Sequence, residues 1–139
     1  ITHSEFNDSK TDEVNFLQLW IIPEEMSVEP YYEQREFPFE GMNNQLQTIV
    51  APKNKLEGDA LPISQQAYIY RTILDADNTI DLNLKSDKNG LYIFVVDGEI
   101  SLEHNSLSSR DAIGVYDTDQ VSINANKNSE LVIIEVPMN

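Results

Sequence analysis

Short runs of alternating apolar and polar residues, separated by turn residues, dominate the chain from residue 66 onward. In residues 79–84, for example, Ile80, Leu82 and Leu84 alternate with polar residues. A period of two places the apolar side chains on one face of a strand, and it is typical of a sheet with one solvated face. The sequence therefore predicts an all-β protein, either a sandwich or an open barrel.

Turn residues divide this pattern into separate strands. Asp97-Gly98 lies between two apolar runs and predicts a tight hairpin, because such turns need a positive φ that glycine tolerates. Asn89-Gly90 and His104-Asn105 predict further turns. Residues 29–40 have no clear period and are expected to form a connector. The predicted strands cover residues 14–22, 45–51, 67–74, 79–84, 91–96, 99–103, 112–116, 120–125 and 130–136.

Composition excludes several classes of site and partner. The 139 residues include no cysteine, which excludes disulfide scaffolds, thiolate nucleophiles and cysteine-ligated metal centres. The net charge of −15 and only nine scattered basic residues oppose direct binding to nucleic acid. No apolar run approaches the roughly 20 residues of a spanning helix, and the first residues lack the features of a signal peptide. We therefore expect a cytoplasmic protein with no membrane or nucleic-acid partner.

Two histidines limit the chemistry that the chain can perform. His3 and Glu5 are two residues apart, so an extended backbone projects both side chains onto one face. An imidazole and a carboxylate suit an iron, manganese, nickel or zinc site, but two ligands do not complete one. On spacing alone, a solvated polar pair near the terminus is the stronger interpretation. His104 lies in a predicted turn and would have to fold back to contribute.

The remaining candidate sites have simpler structural explanations. Asp75, Asp77 and Asp81 lack the glycine and glutamate spacing of an EF-hand loop and fit a solvated strand end. Several aromatic residues could line a pocket, although core or interdomain packing is the more common use of such residues. These aromatic residues are Phe16, Trp20, Tyr31, Tyr32, Phe37 and Phe39.

Three ordered motifs carry a resemblance to a known family. They are His3-Ser4-Glu5-Phe6-Asn7, the FLQLWI run at residues 16–21, and PYYEQREF at residues 30–37. In this order and spacing they resemble the middle of the pirin family. The rest of the chain is similar to the second half of that family, through residues 63–74, 90–98, 107–112 and 131–137. The resemblance covers essentially the whole chain.

The pirin resemblance implies a fold, a metal and a reaction. Pirin-like proteins are bicupins, with two jelly-roll barrels in tandem, and several bacterial members are metal-dependent quercetin 2,3-dioxygenases. By resemblance, His3 and Glu5 are the third and fourth ligands of the metal in the first barrel, and Glu5 is also a candidate base. The implied metal is iron, with manganese, nickel or zinc as alternatives. The implied partner is a small aromatic flavonol or, in a regulatory alternative, another protein.

The resemblance also predicts an incomplete metal site in this chain. The H-x-H ligands of the first barrel have no counterpart here, and residue 1 is Ile rather than Met. We expect a fragment in which residues 1–40 are terminal strands of the first cupin plus a connector, and residues 41–139 are the C-terminal cupin. Such a chain should be inactive alone, with no metal bound, and should oligomerise through exposed strand edges.

The C-terminal cupin is expected to be degenerate. Where a metal-binding cupin has its H-x-H pair, residues 86–92 offer Asp87, Lys88 and Asn89, so no second metal site is predicted. Arg110 stands where a cupin usually has the glycine of a Gly-Asp turn.

Overall fold

The computed structural model describes residues 3–138 and shows two β-sheets packed face to face. Ile1, which contributes to the expectation of a fragment, lies outside the described residues. A short 3-10 helix, η1 (Phe39–Met42), precedes the strands, and no helix within residues 3–138 is long and apolar enough to cross a membrane. The strands are β1 (Gln47–Pro52), β2 (Leu61–Ile63), β3 (Tyr68–Leu74), β4 (Thr79–Asn83), β5 (Asn89–Asp97), β6 (Glu99–Leu102), β7 (Asn105–Ser108), β8 (Ala112–Val115), β9 (Gln120–Ala125) and β10 (Ser129–Pro137).

The two sheets enclose one apolar core. The large sheet has the order β2-β1-β3-β10-β5-β8 and the small sheet β4-β9-β6-β7. Tyr70, Ile133 and Ile93 lie side by side on the inner face of the large sheet. They share a core cluster with Ile100 and Ile123 of the small sheet. The predicted all-β jelly roll is therefore confirmed, because period-two alternation buries one face of each sheet.

The turn at Asp97-Gly98 connects strands of different sheets, so the hairpin predicted there is wrong. β5 belongs to the large sheet and β6 to the small sheet. Gly98 has φ +99°, which glycine adopts without steric cost, and the chain crosses between sheets at this point. Asn89-Gly90, also predicted as a turn, opens β5 instead. The turn predicted at His104-Asn105 is confirmed, although it begins one residue earlier. Glu103 and His104 form it and join β6 to the antiparallel β7.

Residues 3–38 form no helix or strand, which contradicts the strand predicted over residues 14–22. A strand needs a neighbour for its backbone hydrogen bonds, and none of the described residues pairs with this segment in a sheet. Its large side chains are exposed instead, to 89% for Trp20 and 62% for Phe16. These two rings therefore do not pack in the core of the barrel, while interdomain packing, the other use predicted for them, stays a prediction.

Arg110 adopts a backbone conformation that glycine usually supplies. Its φ is +74°, in the left-handed region that costs a residue with a side chain about 1–2 kcal/mol. The turn is nevertheless well bonded, because the Arg110 N–H donates to the Val95 carbonyl at 2.7 Å. The Ser108 N–H also donates to the Asp111 carboxylate at 2.9 Å. The turn between β7 and β8 thus keeps the Gly-Asp geometry without the glycine.

Candidate functional site

His3 and Glu5 lie close together on one side of the N-terminal segment. The distance from His3 Nε2 to Glu5 Oε1 is 3.9 Å, and the two side chains are 60% and 64% exposed. A hollow of about 460 Å³ lies beside His3, and residues 18–23 form its other wall. The pair is therefore open to solvent and bordered by an apolar stretch of the same segment.

The donor atoms of this pair fit a divalent transition metal in kind but not in number. With bonds of about 2.1 Å, one ion can bridge donors up to about 4.2 Å apart, so the 3.9 Å separation is compatible with a shared ion. A catalytic metal usually has at least three protein ligands. Within residues 3–138, no three His, Cys, Asp or Glu side chains are grouped to hold an ion, and His104 joins no such group. His3 and Glu5 therefore fit a metal only as part of a larger donor set.

A fully buried carboxylate lies at one end of the barrel. Glu135 is 0% exposed on the inner face of β10. The Tyr70 hydroxyl donates to its Oε2 at 2.9 Å. The Asn89 side-chain amide and the Lys85 backbone N–H both donate to its Oε1 at 2.6 Å. We call these four residues the Glu135 cluster.

The Glu135 cluster keeps Tyr70 in its neutral, hydrogen-donating form. Burial raises the pKa of the Tyr70 hydroxyl far above its ordinary value, and the adjacent Glu135 carboxylate raises it further. The Lys85 ammonium lies 5.5 Å from the Tyr68 ring centroid and 2.9 Å from a Glu57 carboxylate oxygen. This end of the barrel thus combines a buried hydrogen-bond network with a charged rim.

Sequence reasoning missed the Glu135 cluster, although one signal was present. Glu135 has the same parity along its strand as the inward-facing Leu131 and Ile133, so alternation alone places it inside. Of the residues predicted to replace an H-x-H pair, only Asn89 points inward, where it donates to Glu135. Asp87 and Lys88 are exposed. A contact between β10 and the loop before β5 cannot be read from local patterns.

Comparison with known proteins identifies the family. A family model described as "Quercetinase C-terminal cupin domain" matches residues 48–136, which span the barrel from β1 to β10 except for the first residue of β1 and the last residue of β10. The chain belongs to the pirin family. This confirms the resemblance carried by the motifs at the amino end and the strands that follow.

Named members of the pirin family align with nearly the whole chain. It is 29% identical over 137 residues to the quercetin 2,3-dioxygenase of Escherichia coli K12, covering 99% of this chain and 57% of that protein. It is 31% identical to a putative quercetin 2,3-dioxygenase of Mycobacterium bovis, covering 98% and 55%. The chain therefore spans little more than half the length of these relatives.

Two solved structures share the fold. The crystal structure of the bacterial pirin YhhW from Escherichia coli in complex with nickel(II) superposes with a TM-score of 0.76 at 27% identity. The superposition covers 86% of this chain and 49% of that one. The Escherichia coli protein YhaK matches more weakly, with a TM-score of 0.61 at 19% identity. The second match supports the jelly-roll fold alone.

Proposed function

We propose that this chain forms the C-terminal part of a metal-dependent quercetin 2,3-dioxygenase-type oxidoreductase. The observation that carries the proposal is the convergence of His3 and Glu5, whose donor atoms are 3.9 Å apart, in a chain of the pirin family. In this proposal residues 1–40 are the terminal part of the first cupin plus the connector, and residues 41–139 form the second cupin. The remaining metal ligands lie on a preceding segment of the natural protein.

His3 and Glu5 have distinct roles in the proposed site. His3 would hold the ion through its imidazole. Glu5 would also hold the ion, and its carboxylate would accept the proton that the flavonol hydroxyl loses on binding. When bound, the metal supplies Lewis acidity and a template that brings the flavonol and dioxygen together. Iron is the expected ion, with manganese, nickel and zinc as alternatives; the related YhhW was crystallised with nickel(II).

This 139-residue chain should show negligible flavonol turnover by itself. Two solvent-exposed donors bind a divalent ion weakly, because each lacks the further ligands and the hydrogen-bonding partners that orient a closed site. The Glu135 cluster offers no replacement, since its carboxylate already accepts three hydrogen bonds inside the barrel.

Oxygen-dependent loss of quercetin by the natural gene product that carries this sequence tests the proposal. Wild type is compared with His3→Ala and Glu5→Gln, and Glu13→Gln provides an exposed carboxylate of the same segment as a control. We expect His3→Ala and Glu5→Gln each to lower turnover by at least about tenfold, because His3→Ala removes a metal ligand and Glu5→Gln removes the base. Metal-replete wild type without flavonol turnover would reject the enzymatic assignment.

A non-catalytic, metal-dependent protein-binding module is the second candidate. The net charge of −15 favours it, because such a surface attracts a basic protein partner. Affinity capture with the natural gene product separates the two candidates. A specific basic partner, together with no consumption of small aromatic compounds, would favour the binding module.

A further inference from the structure

We propose that a groove at the end of the barrel binds a small aromatic carboxylate. The groove has a volume of about 780 Å³, which lies within the roughly 300–1,000 Å³ of small-molecule sites. Residues 20–24 form one wall and the barrel forms the other. The barrel residues that carry the argument are Lys55, Gln66, Tyr68, Lys85, Lys88 and Asn89, and we call this the lysine groove.

The lysine groove is positively charged in a strongly acidic protein. It contains three of the nine basic residues of the chain and only one of the 24 acidic residues, Glu24. The Glu24 carboxylate already accepts a hydrogen bond from the Gln66 amide at 3.1 Å. Lys85 is paired with Glu57 at 2.9 Å. Among residues 3–138, no carboxylate lies within ion-pair distance of Lys55 or Lys88. These two ammonium groups are placed to pair with an external anion.

The wall of the lysine groove is tied to the barrel. The Glu24 N–H donates to the Ser64 carbonyl at 2.8 Å. The Gln65 side-chain amide donates to the Ile22 carbonyl at 2.9 Å. These bonds hold residues 22–24 against the loop between β2 and β3, so the groove has two anchored sides.

Apolar surface in the lysine groove indicates a ring rather than a bare anion. Val136 and Pro137 are half-buried and line the groove beside the lysines, and Trp20, which is 89% exposed, lies at its other wall. The Tyr68 ring lies under the Lys85 ammonium, with 5.5 Å between the ammonium and the ring centroid, and it is only 2% exposed. The apolar surface open to a ligand ring is therefore that of the other three side chains. A planar ring can pack on the apolar surface while its carboxylate pairs with Lys55 or Lys88. The inference does not depend on the proposed metal chemistry.

Residues 20–23 also form the wall beside His3. A ligand in the lysine groove would therefore contact the same segment that borders the hollow beside His3.

Binding of benzoate to the full chain, followed by two-dimensional amide NMR, tests the inference. Benzyl alcohol is the neutral counterpart, and acetate and inorganic phosphate are anions without a ring. We expect benzoate to cause saturable chemical-shift changes at residues of the groove. The affinity for benzoate should fall as sodium chloride rises from about 0.05 to 0.5 M, because salt screens exposed charges. Each of Lys55→Gln and Lys88→Gln should weaken binding about two- to fivefold, as for exposed ion pairs.

Lys10→Gln is the matched control, because Lys10 is exposed and lies outside the groove. It should leave the affinity for benzoate unchanged. The inference is overturned if benzoate causes no saturable shift, if benzyl alcohol binds as well, or if the control weakens binding as much as the groove variants. Equal binding of acetate or phosphate overturns the aromatic part of the inference.

Discussion

Replacing Glu135 with leucine should destabilise the barrel by about 3 kcal/mol. The carboxylate accepts hydrogen bonds from the Tyr70 hydroxyl, the Asn89 amide and the Lys85 backbone N–H. Leucine accepts none, and each buried donor left without a partner costs about 1–3 kcal/mol. Three such donors give about 3–9 kcal/mol, and leucine's favourable burial offsets about 1.5–3 kcal/mol of that, so the expected loss is about 3 kcal/mol.

Glu135→Gln keeps the shape of the side chain and most of its hydrogen bonds. The glutamine oxygen can still accept from Asn89 and Lys85, and its amide can donate to the Tyr70 oxygen if that hydroxyl rotates. We therefore expect a loss of only about 1 kcal/mol for this variant. Tyr70→Phe removes a single hydrogen bond to the carboxylate and should cost about 1.5–3 kcal/mol.

Urea unfolding followed by far-ultraviolet circular dichroism measures these differences. Glu130→Gln is the control, because Glu130 lies on the same strand but is exposed, and it should change the free energy of unfolding by less than about 0.5 kcal/mol. The double variant Tyr70→Phe with Glu135→Leu should lose less than the sum of the single variants, because one hydrogen bond is counted in both. A Glu135→Leu variant as stable as Glu135→Gln would refute this reasoning.

Three further predictions concern pH, backbone strain and assembly. Because the pKa of Tyr70 is raised above its ordinary 10.0 in the folded state, the unfolded chain binds fewer protons above that pH. The free energy of unfolding should then fall by up to about 1.4 kcal/mol per pH unit above pH 10, and Tyr70→Phe should reduce the slope in alkaline urea titrations. Arg110→Gly should stabilise the barrel by about 0.5–1 kcal/mol, because relief of the left-handed backbone strain outweighs the entropy that glycine adds to the unfolded chain. The urea midpoint of unfolding measures this gain. An equal gain for Arg110→Ala would contradict the explanation. The exposed apolar side chains of residues 3–38 and the strand edges should drive self-association, and light scattering that shows only a monomer would contradict that expectation.

The strands from residue 66 onward could be predicted because alternation is a local signal of burial on one face. Residues 120–125 are predicted with the observed bounds, while the edge strands β2 and β7 carry too few apolar residues to be recognised. The hairpin at Asp97-Gly98 could not be excluded, since turn chemistry does not reveal which sheet the next strand joins. The strand over residues 14–22 failed because apolar character alone supplies no neighbouring strand.

The candidate sites were predictable to different degrees. His3 and Glu5 stood out by their spacing and by the family motif that contains them. The Glu135 cluster and the lysine groove combine residues from distant parts of the chain, including Lys55 and Lys88. Only the fold brings such residues together, because no local pattern links the loops that carry them.

Metal content of the natural gene product that carries this sequence tests the central claim most directly. The claim is that His3 and Glu5 ligate a metal together with donors outside this chain. Elemental analysis should find about one transition-metal ion per wild-type protein and a clear loss in His3→Ala, since removing one ligand of a closed site sharply weakens binding. Glu13→Gln should retain the metal. A full metal content in His3→Ala, or none in the wild type after metal loading, would contradict the account.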